Sequence, residues 1–131
     1  MRILLVEDHL AVRLSVRKVI ATTPDLSIGG EAATIEEALQ AINASHFDLA
    51  LIDLSLGSEN GLALVRRVRE IAPGLRMLVY SLHAEWLFAE PAIKAGADGY
   101  IMRQEAPERL IYAIREVLAG RGYSSPPPSQ Q

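Results

Sequence analysis

Five short apolar segments alternate with segments of helical periodicity along the chain. The apolar segments are Ile3–Val6, Leu26–Ala32, Leu49–Leu54, Met77–Leu82 and Tyr100–Met102. The first, third and fourth are almost continuously apolar, which is typical of strands covered on both faces of a parallel sheet. The second segment has the weakest apolar pattern. The pattern therefore predicts five strands, three of which are central in a sheet.

Apolar residues recur at helical spacing between these strands, and several predicted helices carry end signals. The second begins with Thr34 and Glu37 in the positions of a capping box. The third is stopped by Pro73–Gly74, and the fifth has Pro107 in its first turn and Gly120 beyond its end. These signals predict where the second, third and fifth helices begin or end.

The fourth predicted helix, roughly 85–95, is irregular because Pro91 falls inside it. Proline in a helix interior removes a hydrogen bond, so Pro91 should kink this helix or delay its start. Trp86, Leu87 and Phe88 precede it, and three consecutive large apolar residues cannot all face inward. We expect part of this cluster to be an exposed contact patch.

Repeated strand–helix alternation predicts an α/β fold with a parallel sheet and right-handed crossovers. Residues 1–122 are expected to form this single domain. The end of the chain, residues 123–131, includes "SSPPPSQQ", which is rich in proline and free of charge. Such a composition is typical of a tail or the start of an interdomain linker.

Composition narrows the class of protein. Half of the 131 residues are apolar and 22% are charged, as in a folded soluble domain. A net charge of −3 argues against a dedicated nucleic-acid surface within this chain. There is no cysteine, which excludes disulfides and thiolate metal ligands. Without a signal-peptide pattern or an apolar run of membrane-spanning length, we expect a cytoplasmic protein that does not contact the membrane.

Polar side chains follow the predicted strands at their carboxyl ends. Glu7–Asp8 follows the first strand and Asp53 the third, Ser81 ends the fourth, and Arg103 follows the fifth. Ligands of open α/β sheets bind at this edge. Three carboxylates there would repel one another unless a cation joined them, and Mg²⁺ prefers such oxygen ligands. A carboxylate beside Mg²⁺ is also a nucleophile toward phosphorus, forming an aspartyl phosphate.

Four motifs, "LLVEDH", "LIDLSLGSENG", "YSL" and "GYIMR", stand in an order and spacing that resembles the response-regulator receiver domains of two-component signalling. The resemblance covers residues 1 to about 122. "EDH" with Arg13, and "GYIM" before an "APERL" helix, look most like receivers joined to a helix-turn-helix DNA-binding domain. The resemblance implies a flavodoxin-like, doubly wound, five-stranded parallel sheet of order 2-1-3-4-5, with helices on both faces.

The resemblance also implies a metal-dependent phosphoacceptor site. Asp53 would be the phosphoacceptor and a Mg²⁺ ligand, Asp8 a direct ligand, and Glu7 a ligand through water. The backbone carbonyl of Ser55 would complete the protein's share of the coordination. Gly61 matches the glycine that lets the loop after Asp53 turn.

The family's switch residues match Ser81, which would bind the phosphoryl group and swing inward, and Tyr100, the coupled aromatic. Three positions depart from the family. Arg103 stands where a lysine is usual, Gly57 where a proline is usual, and Leu82 where a small residue is usual. Arginine is not a conservative substitute for lysine, so these departures bear on the phosphorylation cycle more than on Mg²⁺ binding.

Two histidines invite a metal interpretation. His9 and His83 lie far apart in the sequence and no third nitrogen ligand accompanies them. Surface histidines are the simpler interpretation of both. His83 lies two residues after Ser81, where it would influence how fast a phosphoryl group is lost.

The predicted function is therefore that of a receiver domain and not of an enzyme. Asp53 would accept a phosphoryl group from a sensor histidine kinase or phosphotransfer protein, with Mg²⁺ as cofactor, and switch an output face that controls an effector. DNA would be bound only through a separate output domain, and homodimer formation is left open. The alternative is a degenerate, unphosphorylated receiver that acts as a docking or dimerisation module. An aspartate-nucleophile phosphatase is disfavoured because Ser55 stands where a second aspartate would be required.

Overall fold

The computed structural model describes residues 1–56, 59–81, 87–105 and 107–125. The strands are β1 Arg2–Val6, β2 Ser27–Ala32, β3 Leu49–Ile52, β4 Ser55–Leu56, β5 Glu59–Asn60, β6 Arg76–Ser81, β7 Gly99–Met102 and β8 Tyr123–Ser124. The helices are α1 Leu10–Ile20, α2 Ile35–Ala44, α3 Gly61–Ile71, α4 Ala89–Ala95 and α5 Pro107–Leu118.

The long strands form one parallel sheet in the order β2-β1-β3-β6-β7, which confirms the predicted 2-1-3-4-5 order. Four residues of β3, Leu49–Ile52, are fully buried, because this strand pairs with a neighbour on each side and is covered on both faces. Burying one such leucine stabilises the fold by about 1.5–3 kcal/mol. The continuous apolar run that predicted a central strand thus has a direct physical cause.

The two faces of the sheet carry separate apolar layers because successive strand residues point to opposite sides. Leu4, Val6, Ala50 and Ile52 pack toward the side of α2, α3 and α4. Ile3, Leu5, Leu49 and Leu51 pack toward the side of α1 and α5. The helices therefore lie on both faces, as expected for a doubly wound sheet.

Helix ends follow the local signals in most places. The Thr34 side chain accepts a hydrogen bond from the Glu37 backbone N–H at 3.1 Å, and Glu37 Oε1 accepts one from the Ala33 N–H at 2.8 Å. This arrangement confirms the capping signal at α2, although the glutamate reaches one residue further back than in the standard capping box. Helix α3 ends at Ile71 before Pro73, as predicted.

Helix α4 begins at Ala89, later than the predicted start, and Pro91 is its third residue. A first-turn N–H has no partner within the helix, so proline is tolerated there. The proline therefore delays the helix and does not kink it. Trp86, Leu82 and His83 lie outside the described residues, whereas Leu87 and Phe88 are exposed, in agreement with the predicted patch.

Two short elements were not predicted. Ser55–Leu56 and Glu59–Asn60 pair as a small antiparallel hairpin directly after the third long strand. Tyr123–Ser124 adds a sixth strand, β8, parallel to β7, where the composition suggested a tail from residue 123. The sheet thus has six strands instead of five. Because β8 is parallel to β7, it ends at the same edge of the sheet as the other strands.

In the part of the chain that the structure describes, no helix is long and apolar enough to cross a lipid bilayer.

Candidate functional site

The acidic and basic residues predicted at the strand ends meet at one edge of the sheet. Their backbones are held in place by hydrogen bonds that continue the pairing of the neighbouring strands. The Glu7 N–H donates to the Ala32 carbonyl at 2.9 Å, and the Asp53 N–H donates to the Val6 carbonyl at 3.0 Å. On the other side, the Arg103 N–H donates to the carbonyl of Ser81 at 2.7 Å. The parallel sheet thereby fixes backbone positions that are far apart in the sequence.

The Arg103 guanidinium links two buried carboxylates. Its Nη2 lies 2.9 Å from Glu7 Oε1 and 2.8 Å from Asp53 Oδ2. The two acidic side chains are 2% and 1% exposed. Arg103 Cζ also lies 5.8 Å from the centre of the Tyr80 ring, a distance that permits a cation–π contact. One positive charge therefore offsets part of the negative charge of the site.

Glu7 also organises the start of α1. Its Oε2 accepts a hydrogen bond from the Asp8 backbone N–H at 3.0 Å and lies 3.4 Å from the His9 backbone nitrogen. The His9 ring nitrogen Nδ1 lies 3.3 Å from the same oxygen and 3.1 Å from Asp8 Oδ1. The His9 side chain is 58% exposed, so the surface position expected from the sequence is confirmed. Its contact with both acids was not expected.

The surroundings of Asp53 disfavour the charged form of its carboxyl despite the positive charge of Arg103. Burial, followed by the hydrogen bond and the negative charge of Glu7, raises the pKa of its carboxyl from 3.8 to about 7. The Ser55 N–H, which donates to Asp53 Oδ1 at 3.1 Å, and the Arg103 charge act in the opposite direction. Because the increase wins, the charged form of Asp53 is poorly stabilised by the protein alone.

The donor atoms of this site fit a divalent cation. Oxygens of Glu7, Asp8 and Asp53 and a ring nitrogen of His9 all lie within 4.8 Å of one another. Asp8 Oδ1 and Asp53 Oδ2 are buried and form no regular hydrogen bond within the described ranges, although Asp53 Oδ2 faces Arg103 Nη2 at 2.8 Å. Buried carboxylate charge that is only partly compensated is costly, and Mg²⁺ takes such oxygens as ligands.

Gly61 is required by close packing beside the loop that carries Asp53. A Cβ at this position would lie 2.6 Å from Leu54 Cα and 2.7 Å from the Asp53 carbonyl oxygen. The Gly61 N–H donates to the Leu54 carbonyl at 2.9 Å. Its φ is not positive, so the expected role in the turn comes from the lack of a side chain and not from a left-handed conformation.

The two predicted switch residues are in direct contact. Ser81 Oγ and Tyr100 Oη are 2.8 Å apart, and both residues are fully buried. Ser81 and Arg103 are joined by the backbone hydrogen bond described above, and Tyr100 lies in the strand that precedes Arg103. The pair is therefore linked to the acidic site through the backbone of β6 and β7. Its switching role stays a prediction.

A second polar cluster fastens β8 to this region. Glu105 accepts hydrogen bonds from Tyr123 Oη at 2.6 Å and from Ser125 Oγ. The Met102 N–H donates to Ser125 Oγ at 3.1 Å, and the Ser125 N–H donates to the Tyr100 carbonyl at 2.9 Å. The C-terminal strand is thus held by a residue only two positions after Arg103.

The sequence predictions and the structure differ in a few places. The predicted Glu7, Asp8, Asp53 and Arg103 are brought together, whereas Ser55 contributes an N–H bond and its carbonyl role stays a prediction. The contact of His9 with the acids was missed, although its position directly after two acids was an available signal. Gly57 and Leu82, the other two departures from the family pattern, lie outside the described residues.

Comparison with known proteins identifies similar chains. A family model described as "Response regulator receiver domain" matches residues 3–115. The chain is 34% identical over 118 residues to the nitrate/nitrite response regulator protein NarL of Escherichia coli K12, covering 90% of this chain and 55% of that protein. It is 36% identical over 131 residues to the transcriptional activator protein ExaE of Pseudomonas putida, covering 100% of this chain and 61% of that protein. The chain thus spans little more than half the length of these relatives.

A solved structure is also similar over most of the chain. It is the crystal structure of a two-component response regulator of the LuxR family from Aurantimonas sp. SI85-9A1, with a TM-score of 0.91 and 35% sequence identity. The alignment covers 98% of this chain and 92% of that one. This similarity agrees with the parallel sheet and the helix arrangement described above.

Proposed function

This chain belongs to the response regulator receiver domains, and from that premise we propose that Asp53 accepts a phosphoryl group in a phosphorelay that regulates transcription. The donor would be the phosphohistidine of a sensor histidine kinase or of a phosphotransfer protein. The domain would receive the group and not act as an enzyme on a separate substrate. The relatives that carry transcriptional names support an output of this kind.

One observation carries the proposal. The Asp53 side chain is 1% exposed, and its Oδ2 faces Arg103 Nη2 at 2.8 Å without forming a regular hydrogen bond to any described residue. A carboxylate oxygen next to a guanidinium 2.8 Å away is suited to attack an electrophile that carries negative oxygens, because the guanidinium can also attract those oxygens. A purely structural aspartate would be expected to use both oxygens as acceptors.

The group transfer would proceed by displacement at phosphorus. A carboxylate oxygen of Asp53 attacks, an O–P bond forms, and the N–P bond of the phosphohistidine breaks. The electron pair of that bond leaves on the imidazole nitrogen of the donor, which then takes a proton. The planar Arg103 guanidinium can donate two hydrogen bonds to an anion and would stabilise the oxygens of the transferring group.

A divalent cation would be held by Asp8 and Asp53, with Glu7 close by and the Ser55 carbonyl as a further oxygen ligand. When bound, Mg²⁺ supplies positive charge that offsets the carboxylates and the phosphoryl oxygens. The protein's own part is to hold the three acids in place through the strand ladders and the start of α1. Arg103 then needs to shift only from Glu7 and Asp53 toward the new phosphoryl group.

Output would pass through the buried pair Ser81 and Tyr100. A phosphoryl group adds negative charge and strong acceptor oxygens, which compete with Tyr100 for the Ser81 hydroxyl. Tyr100 would then be released to repack at the face formed by α4, β7 and α5. An effector domain that binds DNA, and a second copy of the chain, are the partners that we assign to this face.

The proposal is tested by the mass of the intact protein after incubation with a small phosphoryl donor and Mg²⁺. We expect one phosphoryl group on the unmodified chain and none on Asp53→Asn. Asp48→Asn is a matched control, because Asp48 lies at the opposite end of β3 from Asp53. Its carboxylate accepts a hydrogen bond from the Arg2 backbone N–H at 2.7 Å. Equal phosphorylation of the chain and of Asp53→Asn would refute Asp53 as the acceptor.

A second candidate is an unphosphorylated docking or dimerisation module. The observation that favours it is the double contact of Arg103 with Glu7 and Asp53, which neutralises part of the site without any ligand. No phosphoryl addition, under conditions in which a receiver that carries lysine in place of Arg103 reacts, would favour this second function.

A further inference from the structure

We propose that His9 is a nitrogen donor of the cation site and shifts its selectivity from Mg²⁺ toward divalent transition-metal ions such as Zn²⁺. This inference rests on the cation site of the proposed function. It concerns which ion the site prefers, and it assigns a binding role to a residue that the phosphoacceptor chemistry does not use.

The spacing of the donor atoms carries the inference. His9 Nδ1 lies 3.1 Å from Asp8 Oδ1 and 3.3 Å from Glu7 Oε2. Bond lengths of about 2.1 Å from ligand to metal place neighbouring ligands of one ion about 3.0–3.4 Å apart. The nitrogen thus already lies at the distance of a neighbouring ligand from each of the two oxygens.

A hydrogen bond does not account for the closest of these contacts. Asp8 Oδ1 is buried and receives no hydrogen bond in the part of the chain described, although His9 Nδ1 lies beside it. Asp53 Oδ2, on a side chain that is 1% exposed, faces Arg103 Nη2 at 2.8 Å but forms no regular hydrogen bond within the described residues. A cation among these atoms would satisfy both oxygens at once.

The cation and Arg103 would use different atoms of Glu7. The guanidinium contacts Glu7 Oε1, whereas the His9 ring faces Glu7 Oε2. Arg103 therefore does not occupy the position between the imidazole and Asp8. The His9 side chain is 58% exposed, which leaves the imidazole accessible to an ion arriving from solvent.

The ligand types decide the selectivity. Mg²⁺ prefers oxygen ligands and retains water, so a nitrogen donor adds little to its binding. Imidazole suits Zn²⁺ and other ions of the first transition series, whose affinity for mixed nitrogen and oxygen sites is higher. A site of carboxylates plus one imidazole is therefore expected to bind Zn²⁺ more tightly than Mg²⁺.

The test compares Zn²⁺ and Mg²⁺ binding by isothermal titration calorimetry on the unmodified chain, on His9→Ala and on His46→Ala. His46 is the matched control, because it is 82% exposed and lies 3.4 Å from a carboxylate, that of Asp48, outside the cluster. We expect His9→Ala to weaken Zn²⁺ binding about tenfold or more and to change Mg²⁺ binding by less than about twofold. His46→Ala should change neither.

A second readout follows the imidazole nitrogens by nuclear magnetic resonance. The Nδ1 resonance of His9 should move on addition of Zn²⁺ and remain in place on addition of Mg²⁺. An unchanged Zn²⁺ affinity in His9→Ala, or an equal loss of Zn²⁺ and Mg²⁺ affinity, would overturn the role of His9.

Asp8→Asn distinguishes this failure from failure of the cation site itself. If Asp8→Asn loses both ions while His9→Ala binds both normally, the site stands and only the inference about His9 is wrong. If the unmodified chain and Asp8→Asn bind Mg²⁺ equally weakly, the metal-dependent function fails, and the inference fails with it.

Discussion

Replacing Asp53 by asparagine is expected to stabilise the domain at neutral pH, and the gain should depend on pH. The pKa of Asp53 is raised to about 7 in the folded protein from its ordinary value of 3.8. Burial is the main cause, followed by the contact with Glu7. Asparagine has nearly the same shape and never acquires the charge that the folded state stabilises poorly.

The sign follows from the protons bound in each state. Between about pH 4 and pH 7 the folded protein keeps the Asp53 proton and the unfolded chain does not. The free energy of unfolding therefore falls as pH rises through this window. The difference of roughly three pH units, at about 1.4 kcal/mol each, corresponds to about 4 kcal/mol. Below pH 4 this contribution is fully present, and above pH 7 it is lost.

The assay is urea unfolding of the chain and of Asp53→Asn at several pH values between 4 and 8, with divalent cations removed. The two proteins should have similar stability at pH 4, and Asp53→Asn should be more stable by about 4 kcal/mol at pH 8. Titrating groups that do not interact with Asp53 cancel in the difference. Adding Mg²⁺ at pH 8 should narrow the gap, because the ion binds the folded unmodified chain.

Asp48→Asn is a control of opposite sign. The hydrogen bond from the Arg2 backbone N–H lowers the pKa of Asp48 below its ordinary value, so this carboxylate stabilises the fold at neutral pH and its loss should destabilise the fold there. A difference between the chain and Asp53→Asn that is constant from pH 4 to pH 8, or that shrinks as pH rises, would refute the reasoning about Asp53.

Two further predictions concern the loop after β3 and the strand β8. Gly61→Ala should lower the free energy of unfolding by about 1–3 kcal/mol, because the new Cβ would lie 2.6 Å from a backbone atom. Thermal unfolding would measure this loss. Gly74→Ala is the control and should leave stability almost unchanged, because a Cβ at that position has no neighbouring atom within 4 Å. Glu105→Gln should speed hydrogen exchange at the Ser125 N–H, because the glutamate that holds β8 loses its charge. Glu116→Gln is its control, since Glu116 pairs with Arg121 instead. Equal exchange in the two glutamine variants would contradict the role of the Glu105 cluster.

Much of the fold was predictable because it depends on local patterns. Continuous apolar runs identified β1, β3 and β6, since a strand buried on both faces needs no polar side. The capping pair at Thr34 and Glu37, and proline after α3, located helix ends through hydrogen bonds within a few residues. The two-residue strand β8 was not predictable, because Tyr123–Ser124 is too short to show any periodicity and its pairing with β7 joins residues more than 20 positions apart.

The acidic site likewise has features that local sequence patterns predict and features that depend on the assembled fold. The apolar pattern was enough to place Glu7, Asp8, Asp53 and Arg103 at strand ends, and the parallel sheet implied that they would meet. Which of their atoms face each other depends on how the strands and α1 pack. Glu7 and Arg103 are 96 positions apart in the chain, and no local pattern sets their 2.9 Å contact.

The raised pKa of Asp53 and the position of His9 also belong to the tertiary structure. A pKa depends on burial and on charges within a few ångströms, and both are properties of packing across several strands. The side chain of His9 is aimed by the start of α1 toward Glu7 and Asp8, a direction that sequence order does not contain. The residue types of this site are thus determined by the sequence, and their chemical state is determined by the fold.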